Sequence, residues 1–361
     1  MAVEAADPPP AYFNDEVVDP NMAGDVKVVG DIDKDGRPDL VVAGNKSEGA
    51  RWYKYPGFEA TRFATPVEEF SLQGKLEDVD HDGDLDLIVG DGRIADNVVW
   101  LENPLPARSP MGTIWQRHVI GQAGGWVMNL LTADFDRDGR RDIAVLAGDK
   151  LSIFFRQANN SWQKVVFGKL PLPREGLGGG DIDGDGATDL VIRGAWLHDP
   201  GTAAARVPAN WSLQAIGASP ESAEAIVADI DGDGRKDVVF SNAEGTGDVR
   251  WWGAVNPIGR WIGHVVLQSV EKAHTLQAGD IDRDGDTDLL VGQLVTSTAK
   301  RVMVLYNGDR KGGRWLMETI STQGLHKGVL ADVNGDGRLD VFGANFTTHP
   351  PTMLLINRPA S

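Results

Sequence analysis

The stretch Asp229-Ile230-Asp231-Gly232-Asp233-Gly234-Arg235-Lys236-Asp237-Val238-Val239 sets carboxylates at alternate positions, a glycine after the third, and an aliphatic run after the fourth. The pattern Asp-x-Asp-x-Asp-Gly-x-x-Asp, with Asn334 for the second Asp in the last copy, occurs seven times in 361 residues, beginning at Asp31, Asp78, Asp134, Asp181, Asp229, Asp280 and Asp332. The intervals are 47, 56, 47, 48, 51 and 52 residues. A near-constant period of that length is the signature of a repeat architecture.

Hard oxygen donors at every second position, with a glycine where the chain must bend, form the front of a calcium loop. The ligands expected in the first three copies are Asp31, Asp33, Asp35 and Asp39; Asp78, Asp80, Asp82 and Asp86; and Asp134, Asp136, Asp138 and Asp142. The next two supply Asp181, Asp183, Asp185 and Asp189, then Asp229, Asp231, Asp233 and Asp237. The last two supply Asp280, Asp282, Asp284 and Asp288, then Asp332, Asn334, Asp336 and Asp340. The bidentate Glu that closes a helical EF-hand is missing and an apolar strand follows, so strand–loop–strand sites for up to seven structural Ca²⁺ ions are expected. Asp and Gly also populate ordinary turns, but turns alone do not require one full spacing seven times over.

The loops account for the composition. Their ligand positions hold 27 of the 53 acidic residues, and seven Ca²⁺ ions would reduce the formal charge of −18 to about −4. The acidity therefore reads as metal ligation, and its sign argues against a nucleic-acid partner. Cysteine is absent, which excludes disulfides and thiolate metal sites. Calcium loops of this type imply a secreted, extracellular protein, where the ion is plentiful. Residues 1–10, an Ala/Pro-rich lead without an apolar core, are expected to be a disordered terminus left after signal-peptide removal. No run approaches the length of a membrane span. A monomer is expected.

Between loops the grammar is all strand. An alternating segment such as Thr275–Gly279 precedes each loop and a buried run such as Asp288–Gly292 follows. A third strand is rich in aromatics (Arg51–Tyr53, Val98–Leu101, Arg250–Trp252), and a fourth opens on Trp (Trp115, Trp162, Trp211, Trp261, Trp315). These repeating Trp residues are read as packing. Four short strands per repeat describe a propeller blade, so the expected fold is an all-β, seven-bladed β-propeller, with residues 11–361 as one domain. The seventh repeat lacks a fourth strand, and Tyr12–Val18 is placed to supply it and close the ring.

Together with Ala331-Asp332-Val333-Asn334-Gly335-Asp336-Gly337-Arg338-Leu339-Asp340, the opening stretch resembles the FG-GAP/VCBS repeats of integrin-type propellers, and the resemblance covers essentially the whole chain. It implies the fold and calcium. Relatives of this type include integrin heads, fungal propeller lectins, and propeller polysaccharide lyases and dehydratases, so it does not select a function.

A site is expected on the face opposite the calcium loops, where the connections vary. The residue six before each leading Asp, where the inner strand enters the disc, reads Asp25, Leu72, Met128, Glu175, Ala223, His274 and His326 round the ring. Two of seven histidines thus share one ring position in adjacent blades. His274 and His326 are candidate proton-transfer residues, with Arg93 or Arg193 neutralising a substrate carboxylate. Lys46, Lys327, Glu175, Glu224, Asn345 and His349 are further polar candidates, and Trp126, in a Gly-rich connection, is the candidate sugar-stacking aromatic. His118 and His264 fall on fourth strands and His198 on a third.

No phosphate-cradling loop is present, since Gly176–Gly180 lacks a following Lys-Ser/Thr. The expectation is a carbohydrate-active protein, a lyase cutting a uronate-containing glycan at one central site, with a non-catalytic lectin or adhesion module as the alternative. Because ligands that bind only the folded state stabilise it, chelation of calcium is predicted to lower Tm by about 5 °C or more. An unchanged melting curve in EDTA would count against filled loops.

Overall fold

The computed structural model describes residues 11–44, 49–65, 69–92, 95–168, 170–172, 175–346 and 351–359; the 1–10 lead lies outside them. Among these residues lie seven four-stranded antiparallel sheets, each running from an inner strand to an outer one in chain order. The inner strands of blades 1 to 7 are Val26–Gly30, Phe70–Glu77, Val127–Ala133, Leu177–Gly180, Ala225–Ala228, Ala273–Gly279 and His326–Ala331. In the seventh sheet the outer place is taken by Ala11–Asp19, antiparallel to Thr352–Pro359. The expected closure by the N-terminal strand is therefore how the ring is made, and that sheet edge is capped.

The aliphatic run after each loop becomes the second strand, which is fully buried, as in Asp39–Ala43, Asp142–Ala147 and Asp288–Gln293. Outer strands are largely exposed, as in Glu59–Arg62 and Gln116–Gln122. Apolar side chains gather between blades, with one cluster at each junction. Val26, Trp52, Leu87 and Trp115 join blades 1 and 2, while Leu40, Tyr53, Phe342 and Leu354 join blades 7 and 1. Trp115, Trp211, Trp261 and Trp315 are buried in these clusters, which is the packing role expected of them.

Polar ties reinforce the junctions. Asn103 just after the third strand of blade 2, Asn307 at the end of that of blade 6 and Asn357 near the end of that of blade 7 each donate through Nδ2 to a loop carbonyl of the preceding blade. The acceptors are Ile32 (2.9 Å), Ile230 (2.7 Å) and Ile281 (2.7 Å). Asn307 Oδ1 also accepts from the Gly312 amide at 2.8 Å, and the Gly312 carbonyl accepts from the indoles of Trp251 and Trp315, both at 3.0 Å. Removing such a side chain leaves buried backbone groups without partners, at about 1–3 kcal/mol each. Asn307→Ala is predicted to destabilise the fold by about 2–3 kcal/mol, read as a lower denaturation midpoint at unchanged slope.

Candidate functional site

The seven acidic loops share one geometry. The sixth-position glycine is left-handed in every copy, with φ from 82° to 93°, and so is the fourth residue, including Lys34, His81, Arg137 and Arg283. The first aspartate accepts from the amide of that glycine, as Asp31 does from Gly36 at 2.9 Å and Asp229 from Gly234 at 2.9 Å. The ninth-position aspartates are buried and bind backbone. Asp288 Oδ2 accepts from Ile281 N and Oδ1 from Asn307 N, both at 2.9 Å. Asp86 and Asp142 make the same pair of bonds, to Val79 and Asn103 and to Phe135 and Arg156. Burial pushes the Asp86, Asp142 and Asp288 carboxyls up to about 8 despite those bonds.

The donor sets fit a hard cation. Oxygens of Asp31, Asp33 and Asp39, of Asp78, Asp80 and Asp82, and of Asp134, Asp136 and Asp142 lie within 4.8 Å of one another. Asp78 Oδ1 and Asp136 Oδ1 are buried without a hydrogen-bond partner. The loops differ in their neighbours: Lys54 pairs with Asp33 and, at 2.8 Å, with Asp35, and Arg206 reaches Asp136 at 2.5 Å.

On the opposite face the inner strands enclose a cavity of about 290 Å³, lined by Lys27, Gln73, Glu224, His274, Gln277 and Lys327 among others. His274 lines it, and His326, buried outside that lining, lies against His274 with ring centroids 4.9 Å apart and planes at 53°. His326 Nδ1 stands 3.0 Å from Asp25 Oδ1 across the closure of the ring. Burial pushes His326 down to about 3, so its imidazole is neutral. Burial alone would raise Asp25, but the contact with His326 and the nearby lysine charges outweigh it and hold the carboxyl low.

Two lysines complete the cluster. Lys327 pairs with Glu224 of blade 5, and its Nζ is 3.8 Å from Glu175 Oε2 of blade 4. Those carboxylates outweigh its burial and keep it cationic. Burial likewise works to raise Glu175, but the charges of Lys327 and His274 leave it low, while burial prevails at Glu224. Lys27 is buried, donates to the carbonyls of Gly24 (2.8 Å) and Ala344 (3.4 Å), and is pushed down to about 7 by burial.

Local strand irregularities aim these groups inward. Pairing slips between Ser71 and Gly74, Val127 and Asn129, Ala273 and Thr275, and His326 and Val329. Such bulges re-aim side chains. Lys327 has φ 51°, unfavourable for a long side chain, and strain of this kind gathers at functional positions.

Of the candidates read from sequence, the cluster unites His274, His326, Glu175, Glu224 and Lys327. Asn345 is buried nearby as a clamp, its Nδ2 donating to Gln323 O (3.2 Å) and Gly324 O (3.1 Å). Trp126 is half-buried and outside the cavity lining, and Arg193 is exposed on the turn after the second strand of blade 4. Arg93, Lys46 and His349 lie outside the described residues. His118 and His264 stack on Trp100 and Trp251 at 4.3 and 4.2 Å, and His198 Nδ1 lies 3.2 Å from Asp183 of its own blade's loop.

Lys27 and Glu244 were missed. The signal for the cluster was the row one residue further on, Val26, Gln73, Asn129, Gly176, Glu224, Thr275 and Lys327, which is polar in five of seven blades.

The profile of the FG-GAP-like repeat matches residues 31–89, 78–145, 134–192 and 229–291, well over half of the chain. The chain belongs to the FG-GAP-like repeat family. No curated protein matches it in sequence. The FG-GAP-like propeller is similar in structure to a lectin of Agrocybe aegerita that recognises non-reducing terminal N-acetylglucosamine (18% identity, 93% of this chain and 85% of that one, TM-score 0.57). It is similar also to virginiamycin B lyase of Staphylococcus aureus (10% identity, 96% and 98%, TM-score 0.62). A third likeness is BBS1N in complex with ARL6DN (11% identity, 97% and 98%, TM-score 0.57). At these identities the likenesses establish the propeller fold alone.

Within this FG-GAP-like propeller, removing Lys327 would leave buried carboxylates uncompensated. Lys327→Met is predicted to cost about 3–5 kcal/mol, and Lys327→Met with Glu224→Gln to recover part of that loss in a denaturation double-mutant cycle.

Proposed function

We propose that this protein is an extracellular, calcium-stabilised propeller whose central funnel binds a uronate-containing glycan and cleaves it by β-elimination. The observation that carries the reading is the convergence of His274, which lines a cavity together with Lys27 and Lys327, with buried His326, 4.9 Å away. Elimination next to a uronate requires cations at the carboxylate, a base for the C5 proton and an electrophile for the leaving oxygen.

The lysines meet the carboxylate. With Nδ1 3.0 Å from Asp25 Oδ1, neutral His326 takes the C5 proton on a ring-nitrogen lone pair. The C–H electron pair becomes the C4–C5 double bond, the C4–O bond breaks with its pair on oxygen, and that oxygen takes up a proton donated by His274. Asp25 holds the ring and stabilises the imidazolium once formed, as a positioning residue. A single central site also suits the lack of repetition among the polar groups: lectin sites between blades would recur with the repeat.

The acidic loops play a different part in this reading. Their exposed carboxylates hold calcium most readily where the free ion is abundant, which is the argument for an extracellular location.

Incubation with a panel of uronate polysaccharides is predicted to produce the ultraviolet absorbance of an unsaturated uronate, with His326→Ala lowering the rate at least about 100-fold. A flat trace across the panel, with several equivalent glycan sites by calorimetry, would replace this reading with the lectin.

A further inference from the structure

His274 is only 3% exposed, and both of its ring nitrogens are buried without a hydrogen-bond partner. Its Nε2 lies 3.5 Å from Glu175 Oε1 and 3.6 Å from Glu244 Oε1, and one donor atom from each of the three lies within 4.8 Å of the others. Those separations exceed a hydrogen bond, which for N–H···O spans about 2.7–3.2 Å. They match another geometry. Two ligands each about 2.1 Å from a tetrahedral ion stand about 3.4 Å apart, so the contacts have the length of a coordination edge.

We propose that Glu175, Glu244 and His274 form a site for one divalent transition-metal ion of the Zn²⁺ or Mn²⁺ class at the mouth of the funnel, separate from the seven acidic loops.

The donor set selects the metal. Calcium takes six to eight oxygens, whereas an imidazole nitrogen with two carboxylates suits zinc or manganese. The surroundings support the ligands as outer partners do in metal sites. Ser222 Oγ donates to Glu175 Oε1 at 2.5 Å, and Lys327 stands 3.8 Å from the other oxygen of the same carboxylate. Glu175 comes from blade 4, Glu244 from the connection after the second strand of blade 5, and His274 from blade 6, so the ion would join three blades. His274 lines the cavity, which leaves the coordination position facing it open to a ligand.

In the elimination this inference rests on the preceding reading. The ion would act as the electrophile for the leaving oxygen, accepting its electron pair, and His274 would serve as ligand in place of proton donor. The metal site itself does not depend on the glycan.

The test uses the full chain, stripped with EDTA and then held in excess Ca²⁺ to fill the loops, titrated calorimetrically with Zn²⁺ and separately with Mn²⁺. One equivalent is expected to bind in the wild type. His274→Ala should abolish it, and Glu244→Gln, at a side chain 48% exposed and so without consequence for folding, should weaken it at least tenfold. His198→Ala should retain it, which excludes the pair formed by His198 and Asp183 as its source. Absence of that equivalent, or equal binding by Glu244→Gln and His274→Ala, would overturn the site. Metal uptake without glycan cleavage would sink the lyase reading and leave the site standing; cleavage that persists unchanged in the stripped protein would remove the ion from the reaction.

Discussion

Every blade depends on one buried carboxylate, the ninth residue of its loop. Asp288 bonds at once to the amide of Ile281 at the loop's start and to that of Asn307 at the end of the third strand, so three segments of the blade are set by one side chain. Burial makes its ionised form costly, as it does for Asp86 and Asp142, and a cation in the loop would relieve that cost. Loop geometry and strand register are thereby one problem. The third strand in turn sets the junctions, because Asn307 follows from the same turn and reaches across to Ile230 of the neighbouring blade.

The regular side of the disc leaves the other side to vary. Seven nearly equal blades bring seven inner strands to one funnel, and the residues they contribute at one height do not follow the repeat. Asp25, Glu175, His274 and His326 therefore meet as an asymmetric group on a symmetric frame. The group is polar and buried; Ser222 and Lys327 hold Glu175, while both ring nitrogens of His274 are left without a hydrogen-bond partner.

What was legible in the sequence follows from this division. The blade number, the strand grammar and the closing role of the N-terminal strand were readable because each is written into a period. The meeting of His274 and His326 was readable because the period also fixes height. The neighbours were harder. Lys27 lies two residues beyond Asp25 in an ordinary inner strand and is buried by the ring as a whole, and Glu244 arrives from a connection outside the repeat. Both consecutive rows face the funnel because bulges break the strict alternation of the strands, and bulges carry no plain mark in a single sequence. Arg193 showed the converse: a cation near the right connection, exposed on the turn.

The seam between Ala11–Asp19 and Thr352–Pro359 has a mechanical consequence. Ala11 faces Pro359, and the two strands run antiparallel away from that pair. Tension applied through residues 11 and 359 would load the ladder one rung at a time, as a zip and not in shear. The ring would part there first, withdrawing Phe13 from the junction of blades 6 and 7 and Val18 from the cluster around Tyr53 and Phe342. A propeller latched in this way resists heat through its whole circumference but yields to a pull at a single seam.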